Sequence, residues 1–397
     1  MTTQNWYMPD EPSKLGSSGI RSSLLNEFDQ VREEVTSAIQ NIWNMLGPGG
    51  IGCNNVLGLP EEYDSNPVLN PATDRAYFPT LLYFANGFDV GGTPYKYLCI
   101  HSSDEDAGGG LLLAGSQDFK TWTQLNGGNP LVGIPAAASH AFVVQVAASS
   151  FRLYYWDSTK IYTVAAIRTA VSTDLINWTN DQPLQNGVTP IVTGVGGDWN
   201  YGTYGASHVI YNPDATNAGT NPFDYTYAMY YDGTTGNTED LGLAYSSDGI
   251  TFTLYGRVLT HGSATPANPI PWDSRYSTWA QIIRLPSGMQ LMFYSGGAAS
   301  ANEGVGTAIS SDGLTWTKLN ISAPLIARVA GTWRDNRCYT PSLLTDYTNR
   351  FSGAGDVCDV KMLISGRSAG GDYTCGYFKI PSIYVNSQEV LLRLGRL

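Results

Sequence analysis

The residues best suited to chemistry sit in short clusters just ahead of apolar, strand-like runs. Asp74-Arg75-Ala76-Tyr77, Asp273-Ser274-Arg275-Tyr276 and Asp335-Asn336-Arg337-Cys338-Tyr339 share an acid, an arginine and a tyrosine. A fourth cluster, Asp198-Trp199-Asn200-Tyr201-Gly202-Thr203-Tyr204, has the acid and the rings without the arginine. Tyrosine rings stack on sugar faces, while Asp, Arg and Asn hydrogen-bond to ring hydroxyls. The expected ligand contacts are therefore Arg75, Tyr77, Tyr201, Tyr204, Arg275, Tyr276, Arg337 and Tyr339. A catalytic version of such a site would draw its carboxylates from Asp74, Asp198, Asp273 and Asp335. The competing reading is structural, each Asp–Arg pair being a salt bridge between neighbouring elements. His140 and His208, also at strand starts, read as core or channel-lining side chains rather than metal ligands or bases.

The elements that must hold these clusters repeat. Ser116-x-Asp118, Ser172-x-Asp174, Ser246-x-Asp248 and Ser310-x-Asp312 are each followed by Trp or Phe and then Thr, with the aspartates 56, 74 and 64 residues apart. Each motif reads as a turn between strands, closed by the Ser and Asp side chains, with the aromatic ring resuming an apolar position. Two strand-like runs precede each turn, and a fifth pair, Thr340–Leu344 and Val360–Ser365, is followed by Cys375–Ile380 without an Asp turn. The unit is three strands, an Asp turn and a fourth strand, which predicts an all-β, five-bladed propeller over residues 51–397. The last blade needs a strand from residues 51–70 or from the C-terminal tail. The turn aspartates belong to the rim and are expected to be structural.

The phrase Ser-x-Asp-Gly-x-x-Trp-Thr resembles the five-bladed propellers of glycoside hydrolase families 43, 32 and 68, over about residues 70–385. It also resembles the Asp box of sialidases, with shorter spacing. The resemblance implies a catalytic Asp where Phe78-Pro79 stands, echoed by Thr340-Pro341, an acid near Tyr204-Gly205, and a partner near Ser139-His140. No carboxylate occupies those places. Glycoside hydrolysis needs two, so the departures at Phe78 and Tyr204 argue against that mechanism and favour binding without cleavage.

Residues 1–50 differ. After a polar arm, Leu24, Phe28, Val31, Val35, Ala38, Ile42 and Met45 are spaced alternately by four and three, a heptad seam ending at Gly47-Pro48-Gly49-Gly50. This predicts an oligomerising helix over about 22–46 and a homotrimer, the alternative being a helix docked on the propeller. Arm, stalk and Tyr-rich head together resemble phage fibre and spike architecture.

Composition narrows the rest. The 397 residues are 42% hydrophobic but only 14% charged, with 44 Gly, 25 Tyr and a net charge of −12. With no basic stripe, a nucleic-acid partner is not expected. No segment is apolar and long enough to span a membrane as a helix, and Met1–Lys14 lacks the apolar core of a signal peptide. Cys53, Cys99, Cys338, Cys358 and Cys375 show no metal-ligand spacing, so neither metal nor cofactor is expected. A disulfide among Cys338, Cys358 and Cys375 stays open beside fully reduced thiols. The expectation is a virion-located receptor-binding propeller for a cell-surface glycan, attached to other virion proteins through its arm. The alternatives are a glycosidase or depolymerase, or a purely structural virion protein.

Overall fold

The computed structural model describes residues 60–71, 75–103, 109–186, 191–264, 271–284, 289–299, 302–319, 322–346 and 356–385. The expected arm and heptad helix of residues 1–50, and Asp74, lie outside them. Among the described residues no helix is long and apolar enough to cross a membrane.

The strands form successive antiparallel meanders. After β1 (Glu61–Glu62) come β2 (Tyr77–Val90), β3 (Thr93–Ser102), β4 (Leu111–Ser116) and β5 (Trp122–Gln124), paired in that order. The next meander is β6 (Ala138–Ala147), β7 (Ser150–Asp157), β8 (Ile167–Ser172) and β9 (Trp178–Pro183). A short β10 (Gln185–Asn186) leads to β11 (Gly202–Tyr211), β12 (Tyr227–Thr234), β13 (Glu239–Ser246) and β14 (Thr251–Leu259). Then follow β15 (Tyr276–Arg284), β16 (Gln290–Gly297), β17 (Glu303–Ser310) and β18 (Thr317–Lys318), and finally β19 (Arg337–Asp346), β20 (Asp356–Arg367) and β21 (Tyr373–Val385). The last group takes its outer strand from ahead of the first: β1 pairs antiparallel with β21, Glu61 opposite Lys379. The sequence left two sources for that strand, and the N-terminal one supplies it.

The core lies between neighbouring meanders rather than inside any one of them. On β12, Met229 and Tyr231 pack towards the preceding meander with Tyr154, Val209 and Phe252. The alternate residues Ala228 and Tyr230 pack towards the following one with Ile282, Met292 and Tyr294. Side chains alternate across a strand, so a strand with apolar partners on both sides is buried on both faces. That is why β12 and β16 read as continuous runs with no polar face. Leu81, Cys99 and Phe119 of the first meander pack with Leu363, Cys375 and Tyr377 of the last, which closes the ring. Cys99, Cys338 and Cys375 are buried free thiols, so Cys338 and Cys375 form no disulfide.

The Asp turns are structural, as their composition implies. The hydroxyls of Ser116, Ser172, Ser246 and Ser310 accept the N–H of Phe119, Leu175, Gly249 and Gly313 at 2.8–2.9 Å. Those four residues have φ of 66–73°, where glycine is favoured. Asp248 accepts the N–H groups of Ile250 and Thr251 at 2.8 and 2.7 Å. Partial burial would raise its carboxyl pKa, but these bonds outweigh that and hold it below the usual range. The turns also link neighbours: Tyr154 donates its hydroxyl to the Gly249 carbonyl at 3.0 Å, and Tyr230 to that of Gly313 at 2.8 Å.

Candidate functional site

Four of the meanders open with the same backbone device. Register breaks between Tyr77 and Thr80, Ser139 and Phe142, Thr278 and Gln281, and Tyr339 and Pro341 mark a bulge at the start of β2, β6, β15 and β19. Each bulge holds a residue of positive φ: Phe78 at 49°, His140 at 51°, Trp279 at 49° and Thr340 at 49°. Such a conformation costs about 1–3 kcal/mol at a non-glycine residue. It is held by the residue's own N–H, which reaches an acceptor on the second strand of the preceding meander. Phe78 donates to Ser365 Oγ (2.9 Å), His140 to Ser102 Oγ (3.0 Å) and Thr340 to Ser295 Oγ (2.7 Å). Trp279 donates to a carboxylate instead, Asp232 Oδ1 at 2.8 Å.

The bulges re-aim these side chains towards a common centre. The Phe78 ring lies 4.8 Å from Trp279 and 5.5 Å from Tyr339, and His140 lies 5.3 Å from Trp279. Phe78, at the place where the hydrolase resemblance implies a catalytic Asp, thus serves as an apolar hub. At β11 the equivalent residue is Gly205, with φ 117°. A Cβ there would stand 3.1 Å from the Trp156 Cβ and 3.3 Å from the His140 carbonyl oxygen.

Around this hub is a cavity of about 350 Å³. Tyr77, Tyr204, Tyr276, Tyr339 and Tyr373 line it together with Arg75 and Arg337. The guanidinium of Arg75 lies 5.5 Å from the centre of the Tyr373 ring, and that of Arg337 lies 5.4 Å from the centre of Tyr339. Several buried polar atoms on the wall find no hydrogen-bond partner among the described residues: Trp156 Nε1, Trp279 Nε1, Arg337 Nε and Glu303 Oε2. Arg337 Nε and Glu303 Oε2 face each other at 3.6 Å, too far for a hydrogen bond.

Among the described residues, three carboxyl groups share the wall: Asp232, Glu239 and Glu303. Burial raises the Asp232 pKa to about 7 against the opposing hydrogen bond from Trp279 N–H. Glu239 is pushed up to about 8, first by burial and then by the neighbouring charges of Asp232 and Glu303, with Arg337 and Arg275 opposing. Glu303 rises to about 7 through burial, held back by Arg337, Arg275 and Arg367. The carboxyls of both glutamates lie deep, yet each residue keeps some contact with solvent through the cavity. His140 is held well below its ordinary value, by burial first and then by the charge of Arg337, so it is a neutral ring on this wall. His208 is buried, its pKa lowered to about 4 by burial, and it packs against Phe142 and Tyr230 outside the cavity.

Of the residues expected from sequence, the cavity brings together Arg75, Tyr77, Tyr204, Tyr276, Arg337 and Tyr339. Tyr201 stacks on Tyr162 at 4.4 Å and does not line it. Arg275 also falls outside, donating to the Asn237 carbonyl at 2.6 Å. Register explains this displacement. Arg75 and Arg337 stand three residues before their positive-φ residues, whereas Arg275 stands four before Trp279, and Tyr276 takes the arginine's place.

The expected carboxylates behave differently from expectation. Asp198 is exposed, in the turn whose ends are joined by the Tyr201 N–H to Asp198 carbonyl bond at 3.1 Å. Asp273 is buried, ion-paired to Lys318 and hydrogen-bonded to Tyr294 at 3.0 Å, and Asp335 accepts the Gly331 N–H. None of these three lines the cavity. The salt bridges expected between Asp273 and Arg275 and between Asp335 and Arg337 do not form either: the partners are Lys318 for Asp273 and Glu303 for Arg337. The carboxylates that do line it carried a signal in the sequence. Glu239 precedes Asp248 by nine residues, and Glu303 precedes Asp312 by the same nine.

No protein-family model matches the chain, and no curated protein matches it by sequence. Solved structures do. An N-acetylgalactosamine deacetylase from F. plautii, solved with blood group B trisaccharide, is 15% identical with a TM-score of 0.52, over 81% of this chain and 94% of that one. An endo-1,4-beta-xylanase from Bacteroides thetaiotaomicron is 15% identical with a TM-score of 0.51, over 79% and 96%. A thermostable family-43 glycoside hydrolase is 14% identical with a TM-score of 0.50, over 80% and 91%. At these identities the likeness concerns the fold alone, a nearly all-β propeller of the glycoside hydrolase kind.

Proposed function

We propose that the chain is a five-bladed propeller whose axial cavity binds the sugar rings of a glycan. The observation that carries this is the pair of buried indole N–H groups without a partner, Trp156 Nε1 and Trp279 Nε1, beside tyrosine rings in one cavity. A buried polar atom left without a partner costs about 1–3 kcal/mol. A polyhydroxylated ring supplies donors and acceptors for such atoms and an apolar face for the tyrosines. At about 350 Å³ the cavity falls within the range of small-ligand sites, roughly 300–1,000 Å³. A glycan array comparing wild type with Tyr276→Ala and Asp118→Ala tests the reading. Tyr276→Ala weakens binding about tenfold, the loss of one stacked ring, and the rim variant binds like wild type. Equal binding by all three removes the axial site.

A second, finer reading places this head on a virion, on a trimeric stalk, recognising a cell-surface glycan. Its support is the unbroken heptad seam from Leu24 to Met45 ahead of the Tyr-rich propeller.

A further inference from the structure

The glycan reading does not account for the three carboxyls of the cavity, and binding alone gives no reason for burying them. At the bulges of β2, β6 and β19 a serine hydroxyl accepts the N–H of the positive-φ residue. At β15 the same bond is made by Asp232, which is 1% exposed. A serine suffices for that bond, so the carboxylate brings an ionisable group that the fold does not require. Glu239 and Glu303 occupy equivalent places, each the first residue of the third strand of its meander. Each pairs in parallel with the first residue of the next meander, Glu239 with Tyr276 and Glu303 with Arg337. Neighbouring meanders therefore present two glutamates to one cavity, beside the buried, unpartnered Nε1 of Trp279, a residue 2% exposed.

We propose that Glu239 and Glu303 are an acid–base pair that hydrolyses a glycosidic bond of the sugar held in this cavity, with Asp232 as the residue that tunes Glu239. The proposal rests on the glycan-binding reading and adds a reaction to it, at positions other than those where the hydrolase resemblance implies carboxylates. Glu239 gives its proton to the glycosidic oxygen as the bond from that oxygen to the anomeric carbon breaks. The oxygen of a water molecule forms the new bond to that carbon, and Glu303 takes the proton the water releases. Return of that proton to Glu239 through solvent restores the pair, with one water consumed per bond. Roles follow from surroundings. Glu303 faces the Arg337 guanidinium at 3.6 Å, which favours its charged form. Glu239 has Asp232 and Glu303 as its acidic neighbours, and their negative charge favours its protonated form against Arg337 and Arg275.

The test uses the full chain with a panel of 4-methylumbelliferyl glycosides of neutral hexoses, pentoses and N-acetylhexosamines in both anomeric forms. Glycan-array binding is measured in parallel, and thermal melting confirms that each variant folds. Wild type releases the fluorophore from at least one member. Glu239→Gln and Glu303→Gln lose at least 100-fold in that rate, the scale of a general acid or base, a loss well beyond the change either makes in array binding. Asp232→Ser keeps the bulge bond and moves the alkaline limb of the pH–rate profile to lower pH, because Glu239 loses a repelling neighbour. Binding without release from any panel member overturns the catalytic pair and leaves the glycan site standing. Release unchanged in both Gln variants, or an alkaline limb unmoved in Asp232→Ser, also overturns it. Absence of both binding and release overturns the glycan reading itself.

Discussion

Replacing Glu239 with Gln makes the protein more tolerant of alkaline pH, even as it removes the proposed acid. The folded protein holds this carboxyl at about 8 against an ordinary value of 4.5. A carboxyl whose pKa is raised on folding binds its proton more tightly in the folded state. Between pH 4.5 and 8 the unfolded chain therefore carries fewer protons at this site, and stability falls as pH rises. At 1.36 kcal/mol per pH unit the full effect is roughly 5 kcal/mol. Glu239 keeps contact with solvent through the cavity and shares its repulsion with Asp232 and Glu303, so about 2–3 kcal/mol is expected from this residue alone. Gln has nearly the same shape and no charge, so the variant loses that dependence. Urea denaturation at pH 5, 7 and 8.5 reads the effect. The stability of Glu239→Gln relative to wild type increases by about 2–3 kcal/mol from pH 5 to pH 8.5. Parallel curves for the two proteins across that range refute the idea that Glu239 is a buried carboxyl under strain.

Asp248→Ala removes the acceptor of two backbone N–H groups and costs about 1–2 kcal/mol by denaturation, on the scale of a lost helix cap, with glycan binding unchanged. Gly205→Ala costs at least about 1 kcal/mol, because φ of 117° and a Cβ 3.1 Å from that of Trp156 both oppose the methyl group; a melting temperature equal to wild type contradicts this. Removing residues 1–46 leaves a folded monomer while the full chain is oligomeric, and light scattering that gives one monomeric mass for both rejects the heptad seam.

Much of the propeller was legible because its signals are local. The Ser-x-Asp turn closes on its own side chains within a few residues, so its pattern survives in any context and marks where a strand ends. The tyrosines and arginines at the inner strand starts were legible for a similar reason: Arg75 with Tyr77 and Arg337 with Tyr339 keep one spacing from their bulges. Arg275 shows the limit of that reasoning. A one-residue offset from the bulge, invisible in composition, sends it to the Asn237 carbonyl and gives the cavity Tyr276. The carboxylates were misplaced for a deeper reason. Asp273 looked like part of a repeating cluster, but its partners Lys318 and Tyr294 come from other strands of its meander and hold it away from the cavity. Glu239 and Glu303 begin third strands, and only the parallel pairing between neighbouring meanders brings those strand starts beside the inner ones. The chain by itself determined its turns, its strands and the rings at their heads. Which acids face the axis was decided by how the sheets pack around it, because that choice depends on contacts between residues more than thirty positions apart.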